Sequence, residues 1–448
     1  MTYPAHLFAA RVPRYTSYPT APHFHSGIRE TTYRAWLAAL PEEIPLSLYL
    51  HVPFCDTLCW FCGCHTKIVN NYRLVGSYCD LLAKEVEMVA DALGARRRVT
   101  HIHWGGGSPT LLSPTDLARL TATMRRRFDI AGDAECAIEI DPRGFDGDTA
   151  WALAEAGVTR ASIGVQDCDP RVQKAINRIQ SDAETEDCVR LLRAAGISRL
   201  NLDLIYGLPY QTKDSIRRNI AFALSLNPDR LAVFGYAHVP AFKKHQALIP
   251  EHALPGVAER LAQEELIHDL LCEAGYVAVG LDHYARPGDP MAQAAADGTL
   301  ARNFQGYTTD TAPALIGFGA SAIGSLPQGY AQNEVAIPAW RAAIEAGGLA
   351  TARGIELTFD DRVRRHVIER LMCDFSVDLK QVRRRFHLPC HYFADALDRL
   401  QPLVAEAAVT LDGDTVTVNP QMRPAVRLAA AAFDAWLDGG NARHAMTA

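Results

Sequence analysis

Four of the chain's eleven cysteines lie within one short segment, LYLHVPFCDTLCWFCGCHTKIV (residues 48–69). Cys55, Cys59 and Cys62 follow the spacing C-x3-C-x2-C, and Cys64 comes two residues later. Three thiolates on one loop can each bind a corner of a cubane iron–sulfur cluster, which leaves one iron without a cysteine. By the logic that separates open from closed metal sites, that iron is predicted to bind a small chelating ligand and to be where chemistry occurs.

Zinc is the competing interpretation of the same cysteines, because C-x2-C is a common half of a zinc site. A structural zinc site requires a second ligand pair, and this spacing is unusual for one. His65 is a possible additional ligand. Cys64 is left over in the cluster interpretation, and it is either a small packed residue or one whose role the spacing does not reveal. Buried thiols without any ligand role are the third alternative.

The length and charge of the chain limit its class. Its 448 residues are enough for one large catalytic domain and a smaller one. The net charge of −6 gives no electrostatic reason to expect a nucleic-acid partner. The N-terminus lacks signal-peptide features and no apolar run reaches about 18 residues, so we expect no membrane partner and a cytoplasmic location. The odd number of clustered cysteines also indicates a reducing compartment.

Short apolar runs alternate with helix-like segments from residue 46 onward, at intervals typical of βα units. Connections of this kind imply parallel strands. The predicted strands are 46–51, 101–104, 137–141, 161–166, 200–206 and 231–237, with further candidates at 277–281 and 314–319. The predicted helices include 31–40, 78–93, 115–128 and 360–372. At least six repeats favour an α/β fold with a partial or full (βα) TIM-like barrel.

The chain is predicted to contain three units. They are an N-terminal arm over residues 1–45, a barrel-type catalytic domain over 46–335, and a small, mainly helical or winged-helix-like domain over 336–448. The last unit combines helices with a predicted hairpin over 409–418, which turns at Asp412-Gly413. Since the chain is acidic, a lid or substrate-shaping role fits this unit better than DNA binding.

Polar residues recur on one face of five predicted strands, where parallel strands are usually apolar on both faces. Successive side chains of a strand point to opposite faces. The polar face contains Ser47, Tyr49, His51, His101, His103, Glu139, Asp141, Ser162, Gln166, Asn201 and Asp203. The other parity is dominated by leucine and isoleucine. The pattern therefore predicts a polar cavity inside the barrel in place of a packed apolar plug.

Informative turns follow these strands, at the end where barrel enzymes place their chemistry. The glycines of Gly105-Gly106-Gly107 let a ligand approach the backbone closely. Glu139 and Asp141 carry carboxylates suited to hydrogen-bonding vicinal ribose hydroxyls. Two later loops, 282–286 and 302–309, combine arginine with aromatic residues, which suits a flat substrate with acidic side chains.

The cysteine motif, with Phe61 directly before its last cysteine, resembles the signature of radical S-adenosylmethionine (SAM) enzymes. The strings HVPFC…CWFCGC, RYTSYPT (14–20) and RNFQGYTT (302–309) resemble one family among them, the oxygen-independent coproporphyrinogen III oxidases. The resemblance implies a [4Fe-4S] cluster on Cys55, Cys59 and Cys62, with SAM on the fourth iron. It also implies a second SAM molecule, a feature distinctive of this family.

The same resemblance implies roles for individual residues. The first SAM is expected to meet Tyr49, Gly106, Glu139 and Ile323. The second is expected to meet Phe61, Gly107, Ser108, Gln166, Arg178, Asp203 and Ala237. Catalytic roles are expected for Tyr49, Glu139 and Gln305. Ser108 stands where the better-known family pattern has threonine, and it keeps the hydroxyl.

The activity implied by the resemblance is that of a radical SAM oxidoreductase of haem biosynthesis. It converts coproporphyrinogen III to protoporphyrinogen IX by oxidative decarboxylation of two propionates to vinyls, through a SAM-derived 5′-deoxyadenosyl radical. A flavodoxin- or ferredoxin-like electron donor, an electron acceptor and a monomeric state are expected. Two alternatives remain open: a haem-binding or haem-trafficking relative, and a radical SAM methylase or cyclopropanase acting on another substrate.

Overall fold

The computed structural model describes residues 5–437, so residues 1–4 of the predicted arm and 438–448 of the predicted C-terminal domain lie outside the described residues. A twelve-stranded sheet lies at its centre. Its strands are Leu46–Val52 (β1), Arg98–Gly106 (β2), Asp129–Ile140 (β3), Arg160–Gln166 (β4), Arg199–Tyr206 (β5), Arg230–Gly235 (β6), Val277–Val279 (β7), His283–Ala285 (β8), Ala314–Phe318 (β9), Ile323–Leu326 (β10), Gly329–Asn333 (β11) and Thr351–Glu356 (β12). All eight predicted strands are confirmed; their ends differ by at most three residues, except that β3 begins at Asp129, well before the predicted residue 137.

The order of strands across the sheet is β12-β11-β10-β9-β1-β2-β3-β4-β5-β6-β8-β7. The seven strands from β9 to β6 in this order run parallel. Antiparallel strands extend the sheet at both edges. The ladder formed by the described strands is open, since its order begins at β12 and ends at β7. The predicted α/β fold with a partial barrel is confirmed in this form.

Helices connect the parallel strands, as βα units require. The described helices are Ala5–Phe8, Glu30–Ala38, Tyr72–Leu93, Pro114–Arg127, Gly147–Glu155, Pro170–Ala175, Asp182–Ala194, Lys213–Ser225, Val257–Glu273, Pro290–Ala296, Ile337–Glu345, Phe359–Asp374, Leu379–Phe386, Ala394–Ala405 and Val426–Ala432. Several begin at a side-chain cap; the Ser113 hydroxyl, for example, accepts a hydrogen bond from the Asp116 amide. The predicted helices are confirmed.

The two faces of the parallel strands divide as the residue pattern predicts. Leu48, Ile102, Ile138, Ile163 and Leu202 are all buried, and they belong to the large apolar core that the outer helices cover. Seven residues of the opposite parity line a cavity, and they are Ser47, His101, His103, Glu139, Ser162, Asn201 and Asp203. Strand register places equivalent positions side by side, with Tyr49 beside His103 on β2 and Glu139 beside Ser162 on β4.

A second apolar core lies in the C-terminal region. It brings together the Phe359–Asp374, Ala394–Ala405 and Val426–Ala432 helices and a three-stranded sheet. The strands of that sheet are Ser376–Asp378, Val409–Asp412 and Thr415–Val418, so the predicted hairpin is confirmed. Phe8, Val12, Tyr15 and Tyr18 of the N-terminal arm are buried in the same core.

The large sheet continues past the predicted end of the catalytic domain. Strand β12 pairs with β11 and ends at Glu356, beyond residue 335. The division of the chain into residues 1–45, 46–335 and 336–448 stays a prediction.

A buried carboxyl group joins the first long helix to the loop after β9. Glu85 accepts hydrogen bonds from the Gly319 amide at 2.6 Å, from Asn333 Nδ2 at 2.7 Å and from Trp340 Nε1 at 3.2 Å. Although these bonds favour the ionised form, burial raises the pKa of Glu85 to about 7. The carboxyl therefore fixes the loop on which β10 begins.

Replacing Glu85 with alanine is expected to lower the free energy of unfolding by about 3 kcal/mol, because three buried donors lose their acceptor. The folded protein holds the Glu85 proton up to a pH of about 7, whereas the unfolded chain releases it near pH 4.3. This contribution to stability is therefore complete below about pH 4.3 and is lost as the pH rises to about 7. The urea midpoints of wild type and Glu85→Ala, measured at pH 6 and pH 8, test the loss of stability and its pH dependence. An equal difference between wild type and variant at the two pH values would contradict the pKa.

Candidate active site

The cysteine loop, residues 53–69, follows β1 and is anchored to neighbouring segments by its backbone. The Val69 amide donates to the Cys55 carbonyl at 3.1 Å, within a short pair formed by Phe54–Cys55 and Lys67–Ile68. The Trp60 amide donates to the Ile176 carbonyl at 2.9 Å. These contacts place the loop at the C-terminal end of the parallel strands, where the sequence predicts the chemistry.

The three thiols of the motif share one space. Cys59 is buried, while Cys55 and Cys62 are half-buried. Burial raises the pKa of Cys55 to about 12, and the charges of Cys62 and Cys59 add to that rise. Within residues 5–437, no three His, Cys, Asp or Glu side chains are placed to hold a single metal ion. A cubane cluster takes one cysteine per iron, so it does not need three side chains around one metal ion.

Two arginines face the sulfur of Cys59. Arg143 Nη2 lies 3.6 Å and Arg178 Nη1 lies 3.5 Å from Cys59 Sγ. Both guanidinium groups also bind Asp141, at 2.6 Å and 3.1 Å. Burial favours the neutral acid, but the hydrogen bonds and charges of the arginines lower the pKa of Asp141. Asp141 is thus occupied by arginine and does not present a free carboxylate to a ribose. The donors on Cys59 suit an anionic sulfur ligand.

The glycine turn after β2 packs directly against the cysteine loop. The Gly107 amide donates to the Val52 carbonyl at 2.8 Å. A Cβ atom on Gly107 would lie 2.4 Å from the Phe54 carbonyl oxygen. Gly106 has a φ of +111°, and a Cβ atom there would lie 2.5 Å from the His51 ring. Only glycine fits at these two positions.

Tyr49, His51, His103 and Glu139 form one connected polar group at this turn. The Tyr49 hydroxyl lies 2.9 Å from His51 Nδ1, and its ring stacks on that of His103. Glu139 accepts from the Gly106 amide at 3.0 Å and lies 3.1 Å from His103 Nε2. Burial favours the neutral acid, but the His103 contact and the Gly106 hydrogen bond lower the pKa of Glu139. Glu139 is therefore ionised at neutral pH.

A cavity of about 220 Å³ occupies the space inside the parallel strands, and we call it the inner cavity. Its lining brings together Glu139, Asp203 and Gln305. Asp203 accepts hydrogen bonds from Ser162 Oγ at 2.8 Å and from Asn201 Nδ2 at 2.7 Å. Burial nevertheless raises the pKa of Asp203 to about 6. The lining confirms the predicted polar interior.

The other predicted SAM-contacting residues lie around the same end of the sheet. Phe61 and Ala237 are joined by Gln246, whose Nε2 donates to their carbonyl oxygens at 3.0 Å and 3.2 Å. Ser108 Oγ lies 3.7 Å from Cys55 Sγ. Gln166 ends β4 with a φ of +66°.

Ile323 begins β10, on the other side of β1 and β9 from the strands that carry Glu139 and Asp203. A Cβ atom on Gly317 of β9 would lie 2.9 Å from the backbone of Ile323. Ile323 is not among the residues that line the inner cavity. It packs against β9, and β9 in turn pairs with β1.

Three side chains at the site carry contacts that the sequence pattern did not predict. These are the Arg143 contact with Cys59, the His103 contact with Glu139 and the Gln246 bridge. The strand parity had already placed His103 on the inward face. Arg143 and Gln246 belong to irregular segments, where periodicity gives no signal.

Comparison with known proteins agrees with this geometry. The Radical SAM superfamily matches residues 49–223. Over 97% of its length the chain is 52% identical to the oxygen-independent coproporphyrinogen III oxidase of Bradyrhizobium diazoefficiens, of which it covers 96%. It is 46% identical to the protein of that name from Paracoccus denitrificans, with 96% of this chain and 95% of the relative covered. The chain belongs to the oxygen-independent coproporphyrinogen III oxidase family.

A solved structure shows the same fold. The coproporphyrinogen III oxidase HemN from Escherichia coli, described as a radical SAM enzyme, matches with a TM-score of 0.91. It is 38% identical to this chain, and the match covers 95% of this chain and 98% of that one. Membership of this family makes the chain a radical SAM oxidoreductase and implies a [4Fe-4S] cluster and SAM. No helix within residues 5–437 is long and apolar enough to cross a membrane.

Replacing Arg143 with alanine is expected to lower the reduction potential of the reconstituted cluster without changing its iron content. Hydrogen bonds to cluster sulfurs are among the factors that set the potential, and removing one disfavours the more negative, reduced form. A redox titration followed by electron paramagnetic resonance measures this. Arg190→Ala is the matched control, because Arg190 is exposed and pairs only with Asp187. Equal potentials in wild type and Arg143→Ala would show that Arg143 does not act on the cluster.

Proposed function

We propose that this protein converts coproporphyrinogen III to protoporphyrinogen IX without oxygen, by oxidative decarboxylation of two propionates to vinyls. The observation that carries the proposal is the position of the three-cysteine loop, at the C-terminal end of strands that enclose a polar cavity. The names of the full-length relatives supply the substrate. The RNFQGYTT loop adds Gln305 to the lining of that cavity.

Cys55, Cys59 and Cys62 are proposed to hold the cluster, since they share one space on an anchored loop. Tyr49, Gly106, Glu139 and Ile323 are proposed to contact the SAM bound to it. The ionised Glu139 holds the Gly106 amide, so the glycine turn is fixed before a ligand arrives. When bound, the cluster and SAM supply the 5′-deoxyadenosyl radical that removes a hydrogen from the propionate.

A second SAM is proposed to contact seven further residues, which are Phe61, Gly107, Ser108, Gln166, Arg178, Asp203 and Ala237. The support is their common position around the cysteine loop and the ends of β4 to β6. Arg178 is already bound to Asp141 and to the Gly164 carbonyl, so it reaches a ligand with a guanidinium whose orientation is fixed.

The protein's own part is to bind and orient the substrate and to keep water away from it. We propose catalytic roles for Tyr49, Glu139 and Gln305 on the reacting part of the substrate. Glu139 and Gln305 line the inner cavity. The Tyr49 ring stacks on that of His103, which lines the same cavity. The pKa of Asp203, about 6, means that this residue changes its charge just below neutral pH. For each vinyl formed, one CO2 and one further electron leave the substrate. An electron acceptor takes that electron.

Anaerobic reconstitution of the full chain with iron and sulfide, followed by SAM, a reductant and coproporphyrinogen III, tests the proposal. Protoporphyrinogen IX and 5′-deoxyadenosine are expected to form together. Formation of 5′-deoxyadenosine without protoporphyrinogen would refute the substrate and leave a haem-trafficking relative in its place. Transfer of a labelled SAM methyl group into the product would favour a methylase.

The cellular setting is part of the proposal. The clustered cysteines fit a reducing cytoplasm, where thiolate ligands stay available. A flavodoxin- or ferredoxin-like protein is proposed to supply the first electron. The monomeric state stays a prediction, which analytical ultracentrifugation of the reconstituted protein tests.

A further inference from the structure

A second and larger cavity, of about 460 Å³, lies outside the inner cavity, and we call it the outer cavity. Its walls come from four regions: the arm at Tyr15–Tyr18, the segments 298–304 and 310–313, strands β9 to β11 at Leu315, Ser325 and Tyr330, and the Phe359–Asp374 helix with Arg385. The two cavities adjoin, because Asn303, Asp310 and Leu315 line both of them. A volume of this size is typical of small-molecule sites.

The two cavities carry opposite charge. The lining of the outer cavity has four arginines, Arg302, Arg365, Arg370 and Arg385, against the two carboxylates of Asp310 and Glu369. The inner cavity has four carboxyl groups against two arginines. Since opposite charges attract, this excess of arginine favours the binding of a carboxylate in the outer cavity.

Two of the four arginines are already committed to holding the fold. Arg302 donates to the carbonyl oxygens of Tyr15 and Arg14, at 3.3 Å each. Arg370 donates to the carbonyl oxygens of Gly298 and Leu300 and pairs with Asp374 at 2.9 Å. The sequence predicts that arginines of the 282–286 and 302–309 segments bind substrate carboxylates. Arg302 instead binds the backbone of the N-terminal arm.

Each of the other two arginines lies near an aromatic ring. The guanidinium of Arg365 lies 5.4 Å from the centre of the Tyr330 ring, and that of Arg385 lies 5.6 Å from the Phe386 ring. His366 follows Arg365 in the chain and lines the same cavity, and its pKa falls to about 4 through burial and the charges of Arg385 and Arg370. The lining of the outer cavity therefore keeps an excess of arginines over carboxylates.

We propose that the outer cavity binds a propionate carboxylate of the substrate that does not react, and that Arg365 and Arg385 are its ligands. This inference rests on the proposed function, which supplies a substrate with more carboxylates than it loses. The planar guanidinium group suits a carboxylate through paired hydrogen bonds. With one propionate held there, the substrate reaches past Asn303 and Asp310, so that another propionate enters the inner cavity near Glu139 and Gln305.

The Phe359–Asp374 and Leu379–Phe386 helices supply matched controls. Arg362 lies on the same helix as Arg365, and Arg384 precedes Arg385 in the chain; both controls are exposed and neither lines the cavity. The probe is coproporphyrin III, the oxidised and unreactive form of the substrate, added anaerobically to the reconstituted full-length protein. Its affinity is measured by fluorescence quenching, and its tetramethyl ester serves as the probe without carboxylates.

Arg365→Gln and Arg385→Gln are each expected to weaken coproporphyrin III binding about tenfold, which is the loss of about 1.4 kcal/mol. Arg362→Gln and Arg384→Gln are expected to leave it unchanged, and binding of the ester is expected to be equal in all five proteins. In turnover, the KM for coproporphyrinogen III is expected to rise about tenfold while kcat and iron content stay constant. Arg365→Lys and Arg385→Lys are each expected to keep part of the affinity, because lysine keeps the charge but not the paired donors.

Unchanged affinity for coproporphyrin III in both glutamine variants, with wild-type melting temperatures, would overturn the inference. That result leaves the proposed function standing if the wild type still forms protoporphyrinogen. If instead the wild type forms none, the proposed function fails, while the binding measurements still decide whether these two arginines form a carboxylate site.

Discussion

Reconstituted Cys59→Ala protein is expected to contain no [4Fe-4S] cluster and to cleave no SAM. With one of the three thiolates gone, two irons lack a cysteine, and the donors of Arg143 and Arg178 face no sulfur. Iron and sulfide contents, together with absorbance in the visible charge-transfer region, measure cluster assembly. The expected loss of 5′-deoxyadenosine formation is complete, down to the level without enzyme.

Cys64→Ala is the matched control for this variant. Cys64 is on the same loop, is exposed, and has no place in the three-cysteine motif. Its backbone amide lies 3.4 Å from Cys62 Sγ, and that contact survives the substitution. We therefore expect normal iron content in Cys64→Ala. Normal iron and normal SAM cleavage in Cys59→Ala would refute the ligand assignment.

Glu139→Ala is expected to lower the rate of 5′-deoxyadenosine formation about 100-fold while the cluster still assembles. The carboxylate fixes the Gly106 amide and His103, and misplacing a bound reactant by about 1 Å costs a factor of this size. Glu139 does not contact a cysteine of the motif in the structure, so iron content is expected to stay at the wild-type level. Single-turnover assays with saturating SAM measure the rate.

Asp133→Asn is the control for Glu139→Ala, because Asp133 lies on the same strand but is exposed. It removes a carboxylate from β3 without touching the cavity. An equal fall of activity in both variants would show that β3 itself had been disturbed. Wild-type rates in Glu139→Ala would remove Glu139 from the site.

Periodicity carried most of the fold prediction. The alternation of Ser47, Tyr49 and His51 with Leu48 and Leu50 identified the inward face of β1, and register then aligned its neighbours. The antiparallel extension β10 to β12 was not predicted. These strands are short, and each contains a glycine where backbones approach closely, at Gly324, Gly329 and Gly354. Such segments carry little side-chain pattern.

The site was predictable where a motif fixed it and unpredictable where distant segments meet. The spacing of the cysteines indicated the loop, and the strand ends indicated Glu139 and Asp203. The contact between Arg178 and Asp141 was missed, because Arg178 lies 37 residues away in the chain. Arg365 and Arg385 come from a different core and reach the outer cavity only through tertiary packing.

The proposed function requires one iron of the cluster to be free to bind SAM. Mössbauer spectroscopy of the full-length protein, reconstituted anaerobically with ⁵⁷Fe, measures this directly before and after SAM is added. A [4Fe-4S] cluster in which a single iron changes its isomer shift on addition of SAM is the predicted result. Protein that binds zinc and no iron would contradict the proposed function. So would a cluster in which no iron changes its isomer shift when SAM is added.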